Sequence, residues 1–497
     1  VLSYVGLDNS TEANIVNTTF DKRADDETDG TSVKAEATNT SDSYNIGAGV
    51  SAAGTAAVSG TVVVTQTHGT AGAVMDGVTI NNAKAVTADA LDDTNILSVI
   101  GSVAGAGTAA VGGGVAYTEI GGVSDDKEKA EQHVTAEIKN STINSDGADS
   151  TVEVKAKDEA RVINVAIGVG GAGNVAVQGA SATTLINKTT GAEMNNTSVD
   201  KDETGSKKAD VTVDAQNASK ITSSADVAAA AGSGAGVGAG IAVNRIIQQT
   251  NAAVNGGTMN VNNLTVNANA TPQITNIGVG VGVAGSGAGV TGSVAVNMIE
   301  NNVTARIGSG ATIVADGTVG VVATSDEQIA NYAGQASVAG TGAAVGLSVS
   351  YNELTGNTTA IIDGDTTSVS ASGGDALEVK DTVDDGAILD KFADEELFEA
   401  QDTLGNDRKV SEYNGVAVSA SSTHAIKSFL VNGGVAGEGA AVNGTVNVNQ
   451  IGGSTKAAIT DADINTAGTA GDVNVIAHDY TNSAGLVGSA SVAGVGA

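Results

Sequence analysis

A run of glycine, alanine, valine and serine, "VGVGVAGSGAGVTGSVAVN" from Val279 to Asn297, returns along the whole chain with small changes. Copies centre near Gly54, Gly107, Gly173, Gly234, Gly287, Gly342, Gly439 and Gly496, at spacings of 53, 66, 61, 53, 55, 97 and 57 residues. A second landmark recurs between them, a Val-x-Ala step such as Val86–Ala88, Val154–Ala156, Val213–Ala215, Val266–Ala268 and Val475–Ala477. A supersecondary unit that recurs this way marks a solenoid or array, because one unit cannot bury its own apolar face.

Within each repeat the regular segments alternate apolar and polar residues with period two, which argues strand and not helix. Gly, Asn and Asp between them suit turns that need positive φ. The fold expected is all-β, a right-handed parallel β-helix (β-solenoid) rod with one short helical insertion. Coils of roughly 18–20 residues would place about three in each repeat and about 26 in the chain, a rod on the order of 125 Å at roughly 4.8 Å per hydrogen-bonded strand. Valine and isoleucine ladders are expected inside, compact residues at the corners. A flat Gly/Ala/Ser face could press on a sibling rod at little side-chain entropy cost, and Ala288, Gly289 and Thr291 are the positions at which bulk would test this.

Composition narrows the class. There are 67 glycines but one proline, Pro272, so collagen and proline-rich disorder are excluded. Aromatics make up 2% and tryptophan is missing, so any core must be thin and aliphatic. The formal charge of −33 argues against nucleic acid and anionic membrane surfaces as partners, and it suits a long object that must stay dispersed. With no cysteine, disulfide scaffolds, thiolate metal sites and cysteine nucleophiles are all excluded.

Three segments follow: residues 1–369 and 415–497 as solenoid repeats, and 370–414 as an acidic insertion that accounts for the 97-residue spacing. In the insertion, Leu389, Phe392, Ala393, Leu397 and Ala400 have helical spacing. Val1 to Ile15 aligns with Ser348 to Ile362, and Ala497 falls in the phase of Ala343. The expectation is a window of a longer array, or a unit that stacks end to end.

Local motifs add little. "GVGVAG", Gly280 to Gly285, matches a dinucleotide fingerprint in letters, but near-copies recur in every repeat and no helix is expected after it. The apolar runs lack the flanking cations and aromatic belts of membrane spans. His68, His133, His424 and His478 occupy different repeat phases and read as surface or turn residues. Acidic groups at Asp25 to Gly30, Asp92–Asp93, Asp125–Asp126, Asp363 to Asp365, and Asp461 with Asp463 read as solvated turns; weak surface calcium is the one metal chemistry they suggest. The sequence nominates no catalytic, cofactor-binding or metal-ligating residue.

"NVTARIGSGATIVADGTVGVVATSDEQI" (Asn302 to Ile329) and "SVAGTGAAVGLSVSYN" together resemble the repeat regions of filamentous-haemagglutinin-like adhesins, in particular the leukotoxin-type large filamentous adhesins of anaerobic bacteria. The resemblance implies a right-handed parallel β-helix, secretion, and display at a bacterial cell surface, with no functional residues to carry over. The expected role is a non-enzymatic adhesive or structural segment of a secreted or surface fibre, contacting a host or neighbouring cell through an unknown receptor. The alternative is an extracellular structural filament whose units tile end to end or laterally. A carbohydrate-active β-helix enzyme is disfavoured by the scarcity of aromatic platforms, and an ice-binding solenoid by the lack of ranked Thr-x-Thr steps beyond Thr65–Thr67.

Overall fold

Alternation in this chain runs unbroken for 20 residues and more, and in the computed structural model each such run is one long strand. The structure describes residues 1–21, 30–122, 132–147, 149–200, 208–373, 376–383, 408–465 and 471–494. One complete turn shows the plan. An outbound strand, Thr151–Ala172, ends at a tight tip at Gly173 and Asn174. The chain returns as Val175–Asn195, crosses a short strand, Ser198–Val199, and re-enters as the next outbound strand, Asp210–Ala231. Each strand is hydrogen-bonded in parallel to the same strand of the neighbouring turns, giving one parallel sheet of 23 strands. The architecture is a parallel β-solenoid.

The repeat and the coil are the same unit. Val33, Val86, Val152, Val211, Leu264, Val319, Val416 and Val473 stack in one column, so a turn takes between 53 and 66 residues, or 97 across the insertion. The expectation of three short coils per repeat is therefore overturned. Eight levels at roughly 4.8 Å rise only about 35 Å, whereas a 22-residue arm at about 3.3 Å per residue reaches roughly 70 Å. The body is a broad thin blade and not a 125 Å rod.

Corners explain the difference. Short coils would need a bend every few residues, yet left-handed backbone gathers at the wide base, apart from Gly121 on a return arm and Gly439 at the tip. Asn17, Gly77, Asn140, Asn196, Gly256 and Ser309 stack there with φ between 49° and 68°, a region that favours Gly and Asn. At the opposite end glycine is required by proximity. A Cβ on Gly107 would lie 2.0 Å from the Gly54 carbonyl oxygen, and one on Gly287 would lie 1.8 Å from that of Gly234. The two arms converge at this tip too: a Cβ on Gly289 would meet the Val338 carbonyl at 2.3 Å. Gly289 and Thr291 thus face the interior, so bulk at these two positions would not test an outer face.

Inward residues form columns across the blade. The base holds Val, Ala, Ile and Met, among them Met75, Ile138, Met194 and Val254. Further out, Ile96, Val162, Ile221, Ile246, Ile299 and Ile329 make an aliphatic seam between the arms. Beside it runs an asparagine ladder: Asn244 Nδ2 donates to Asn297 Oδ1 at 2.8 Å, and Asn297 Nδ2 to Asn352 Oδ1 at 2.8 Å. Nearer the tip the fillers shrink to alanine and glycine. The GVGVAG stretch ends the strand Gln273–Ala284 and enters a tip, not a helix, at Gly285.

The described part of the insertion contains an antiparallel hairpin, Leu377–Val383 with Arg408–Tyr413. No helix is present among the described residues. The helix expected around Leu389 to Ala400 lies outside them.

Three substitutions test the packing. Ile246→Ala is expected to cost about 2–5 kcal/mol in urea unfolding, as for a cavity in a dry core, while outward-facing Ile241→Ala stays within about 0.5 kcal/mol. Gly287→Ala, forced against the carbonyl of the turn below, should cost roughly 1–3 kcal/mol or more.

Candidate functional surface

Period two places alternate residues of each arm inside and outside, and the two sets carry different chemistry. Inside, between the base core and the isoleucine seam, lies a polar layer that the sequence does not announce. Lys188 on a return arm is fully buried and reaches across to Asp92 and Asp158 on two successive outbound arms. Its Nζ donates to Asp92 Oδ2 at 3.1 Å and also to Asp158 Oδ1. Asp92 is further held by Asn39 Nδ2 at 2.6 Å, Gln132 Nε2 at 2.5 Å and Thr94 Oγ1 at 3.0 Å. Asp158 Oδ2 has no partner among the described residues.

With all three ionised, this cluster would bury a net negative charge. Burial pushes the Asp158 carboxyl up to about 7, aided by Asp92 and opposed by Lys188. Burial alone would lower Lys188, but its two carboxylates outweigh that and hold it above its ordinary value. A proton retained on Asp158 neutralises the cluster and lets Lys188 stay charged.

A second buried pair lies in the same layer, further along the stack. His424 Nδ1 meets Glu327 Oε2 at 2.9 Å, and Nε2 faces Asp479 Oδ1 at 3.5 Å. Desolvation opposes the imidazolium, but Glu327, Asp479 and Asp326 together raise the His424 pKa. The reading of His424 as a surface or turn residue is thus corrected. Asp92 is likewise no solvated turn, because it sits mid-strand facing inward while Asp93 faces out. Asp363 sits at a bulge in the strand Ala344–Ala371 rather than in a turn, and it receives Arg306 Nε at 2.7 Å and Nη2 at 3.2 Å. Asp461 and Asp463 are exposed. Asp25 and Asp125–Asp126 lie outside the described residues. The structure does not bring the four histidines together, and among the described residues no group of three or more His, Asp or Glu is placed to hold a metal.

Outside, charge is segregated along the blade. The base half carries in-strand ion pairs such as Lys155–Glu153 at 2.9 Å and Lys157–Glu159 at 2.8 Å. A shallow groove of about 370 Å³ on the outbound face, lined by Asp93, Asn95, Glu159, Arg161 and Lys220, mixes both signs. The tip half is different. Residues 44–65, 97–118, 163–184, 222–244, 275–297, 330–352 and 427–449 carry only Asp226, Lys427 and Glu438 as charged residues. Their outward positions hold valine, isoleucine and aromatic columns, including Val58, Val111, Ile241, Val279 and Val446 at 74%, 45%, 45%, 45% and 49% exposure. This sparsely charged tip half is the broadest surface with a distinct chemistry.

Compared with protein-family models, curated proteins and solved structures, the chain matches none of the three. No helix among the described residues is long and apolar enough to cross a membrane.

The buried ionisable groups fix a sign for pH dependence. Folded Asp158 keeps its proton to about pH 7, whereas the unfolded carboxyl loses it near 4, so stability falls as pH rises between these values. Raised His424 acts in the same direction: its contribution is full below the unfolded value near 6.5 and is lost as pH climbs through the folded one. Thermal melting should therefore be higher at pH 5 than at pH 8. Asp158→Asn should flatten that slope, chiefly by stabilising the protein at pH 8; a slope unchanged by this substitution would place the titration elsewhere.

Proposed function

We propose that this chain is a non-enzymatic β-solenoid segment of a secreted or surface-displayed bacterial fibre that mediates adhesion or cell–cell contact. The observation that carries this reading is the division of the blade into a charged base half and a nearly charge-free, β-branched tip half. Patches of a few hundred Å² already tend to be functional on soluble proteins, and this one spans seven stacked turns. Continuous hydrogen-bonded columns give the surface a rigid backing, which suits a display scaffold. The likeness of Asn302 to Ile329 and the Gly-rich tips to filamentous-haemagglutinin-like repeats supports the same role.

The alternative, a self-assembling structural filament, is favoured by the regular 4.8 Å-type spacing of the outer columns, which offers one copy of the chain a surface commensurate with another. A receptor-binding role needs no such self-match.

Coated particles separate adhesion from inert display. Beads bearing the full chain should attach to bacterial or epithelial cells above uncoated beads, and the free protein should compete. Replacing outward Val103, Val169 and Val279 on the outbound-arm face by lysine should reduce attachment at least tenfold. Attachment no better than bare beads would remove the adhesive reading.

A further inference from the structure

On the return-arm face of the tip half, the outer columns alternate in height. Val58, Val111, Val177, Val237, Val290 and Val345 form one ridge, in register from turn to turn. Two residues further along the arm, Gly60, Gly113, Gly179 and Gly292 form a groove, interrupted by Ala239 and Leu347. A second ridge follows with Val62, Val115, Ile241 and Val294, broken by Ser181.

The fold does not need these glycines. A Cβ on Gly60, Gly179 or Gly292 would meet nothing within 4 Å, and on Gly113 only ordinary contact at 3.7 Å. None has left-handed backbone. Glycine in a strand interior weakens it by roughly 0.5–1 kcal/mol relative to alanine, and where the chain's own packing does not explain it, it marks close approach by another surface. The contrast with the tip glycines, which the turn below would strike, is sharp.

We infer that this face docks a second copy of the same chain, the valine ridge of each copy seated in the glycine groove of the other. The inference rests on the lateral-tiling form of the structural reading above. A two-fold axis parallel to the columns, midway between ridge and groove, brings Val58 over the partner's Gly60 and the partner's Val58 over Gly60, the self-complementary match that a two-fold interface requires. That rotation also sends the charged base of each copy to opposite ends, so the halves that carry most of the net charge of −33 do not face one another. The ridged area, about 25 Å along the arm by about 34 Å across seven turns, is close to the roughly 800 Å² per partner of a standard stable interface. A lipid surface is the less suitable occupant, since this half offers no cationic rim.

Sedimentation velocity on the full chain, from about 1 to 100 µM, tests this. The native chain should move from the 48.3 kDa monomer to a dimer. Gly113→Lys with Gly179→Lys, at open outward positions, should loosen association at least tenfold with thermal melting unchanged. Gly179→Val, uncharged and suited to a strand, should do the same if the lysine pair fails to fold. Gly101→Lys, equally open but on the opposite face, should dimerise like the native chain. A native chain monomeric throughout overturns the inference, as does a dimer or larger assembly that neither groove variant weakens more than Gly101→Lys. Cell attachment is read separately, so loss of adhesion with an intact dimer would fault only the adhesive reading.

Discussion

Parallel in-register stacking imposes one condition on every position of this chain: a side chain must tolerate its counterparts roughly 4.8 Å above and below. Aliphatic residues meet it by nesting, as in the Ile221, Ile246 and Ile299 seam. Asparagine meets it because its amide donates upward and accepts from below, so Asn244, Asn297 and Asn352 propagate a chain of bonds. Glycine meets it where backbone approaches backbone, as in the tip column from Gly54 to Gly107. An unpaired charge cannot meet it, since stacking like charges in a dry interior is prohibitive. The blade therefore sorts its sequence into columns of kind.

The exception shows the rule. Asp92 and Asp158 are stacked in register, two buried carboxylates at neighbouring levels. Lys188 from the facing arm is aimed at both, and a retained proton removes the residual charge. At the same position of the next turn the residue is Asn217, which accepts from Gln248 Nε2 at 2.5 Å and donates to Thr190 Oγ1 at 3.0 Å. The polar layer thus changes from ionic to amide chemistry between turns while every arm stays in register. Replacing such a layer with apolar residues is often neutral or stabilising in itself. Its physical effect here is on alignment: a one-residue slip of an arm would turn Lys188 outward and leave two carboxylates unanswered.

Much of this was readable from residue order. The solenoid, the parallel strands and the length of the repeat follow from the recurrence of the Gly-rich stretch and the Val-x-Ala step. The size of the coil was not, because Asn and Gly inside the arms imitate corners. Asn244 and Asn297 are ladder residues in extended strands, and the true corners at Asn140 and Asn196 are the same amino acid. Parity was the available signal. Lys188 has the parity of Ile186 and Thr190, and Asp92 that of Ala90 and Thr94, so strict alternation assigns both to the interior. Their partnership was not legible, since Lys188 and Asp92 lie 96 residues apart and meet only after the coil length is known. The same parity would have turned Gly289 and Thr291 inward and Gly292 outward.

The taper of the blade connects interior and surface. Side chains shrink from Met75 and Met194 at the base to alanine and glycine at the tip, so the arms close on each other and the tip half becomes little more than two sheets back to back. Such a body has little interior volume for its area, and the hydrophobic effect acts on it from outside as much as from within. Charges at the base maintain dispersion of that half, while the nearly charge-free half has little but its own shape to govern what settles on it. A ridge of valine beside a groove of unneeded glycine is a shape of that kind: it excludes flat or bulky surfaces and admits one with the same period. The turn-to-turn repetition that builds the core therefore also sets the pattern by which its exterior selects a neighbour.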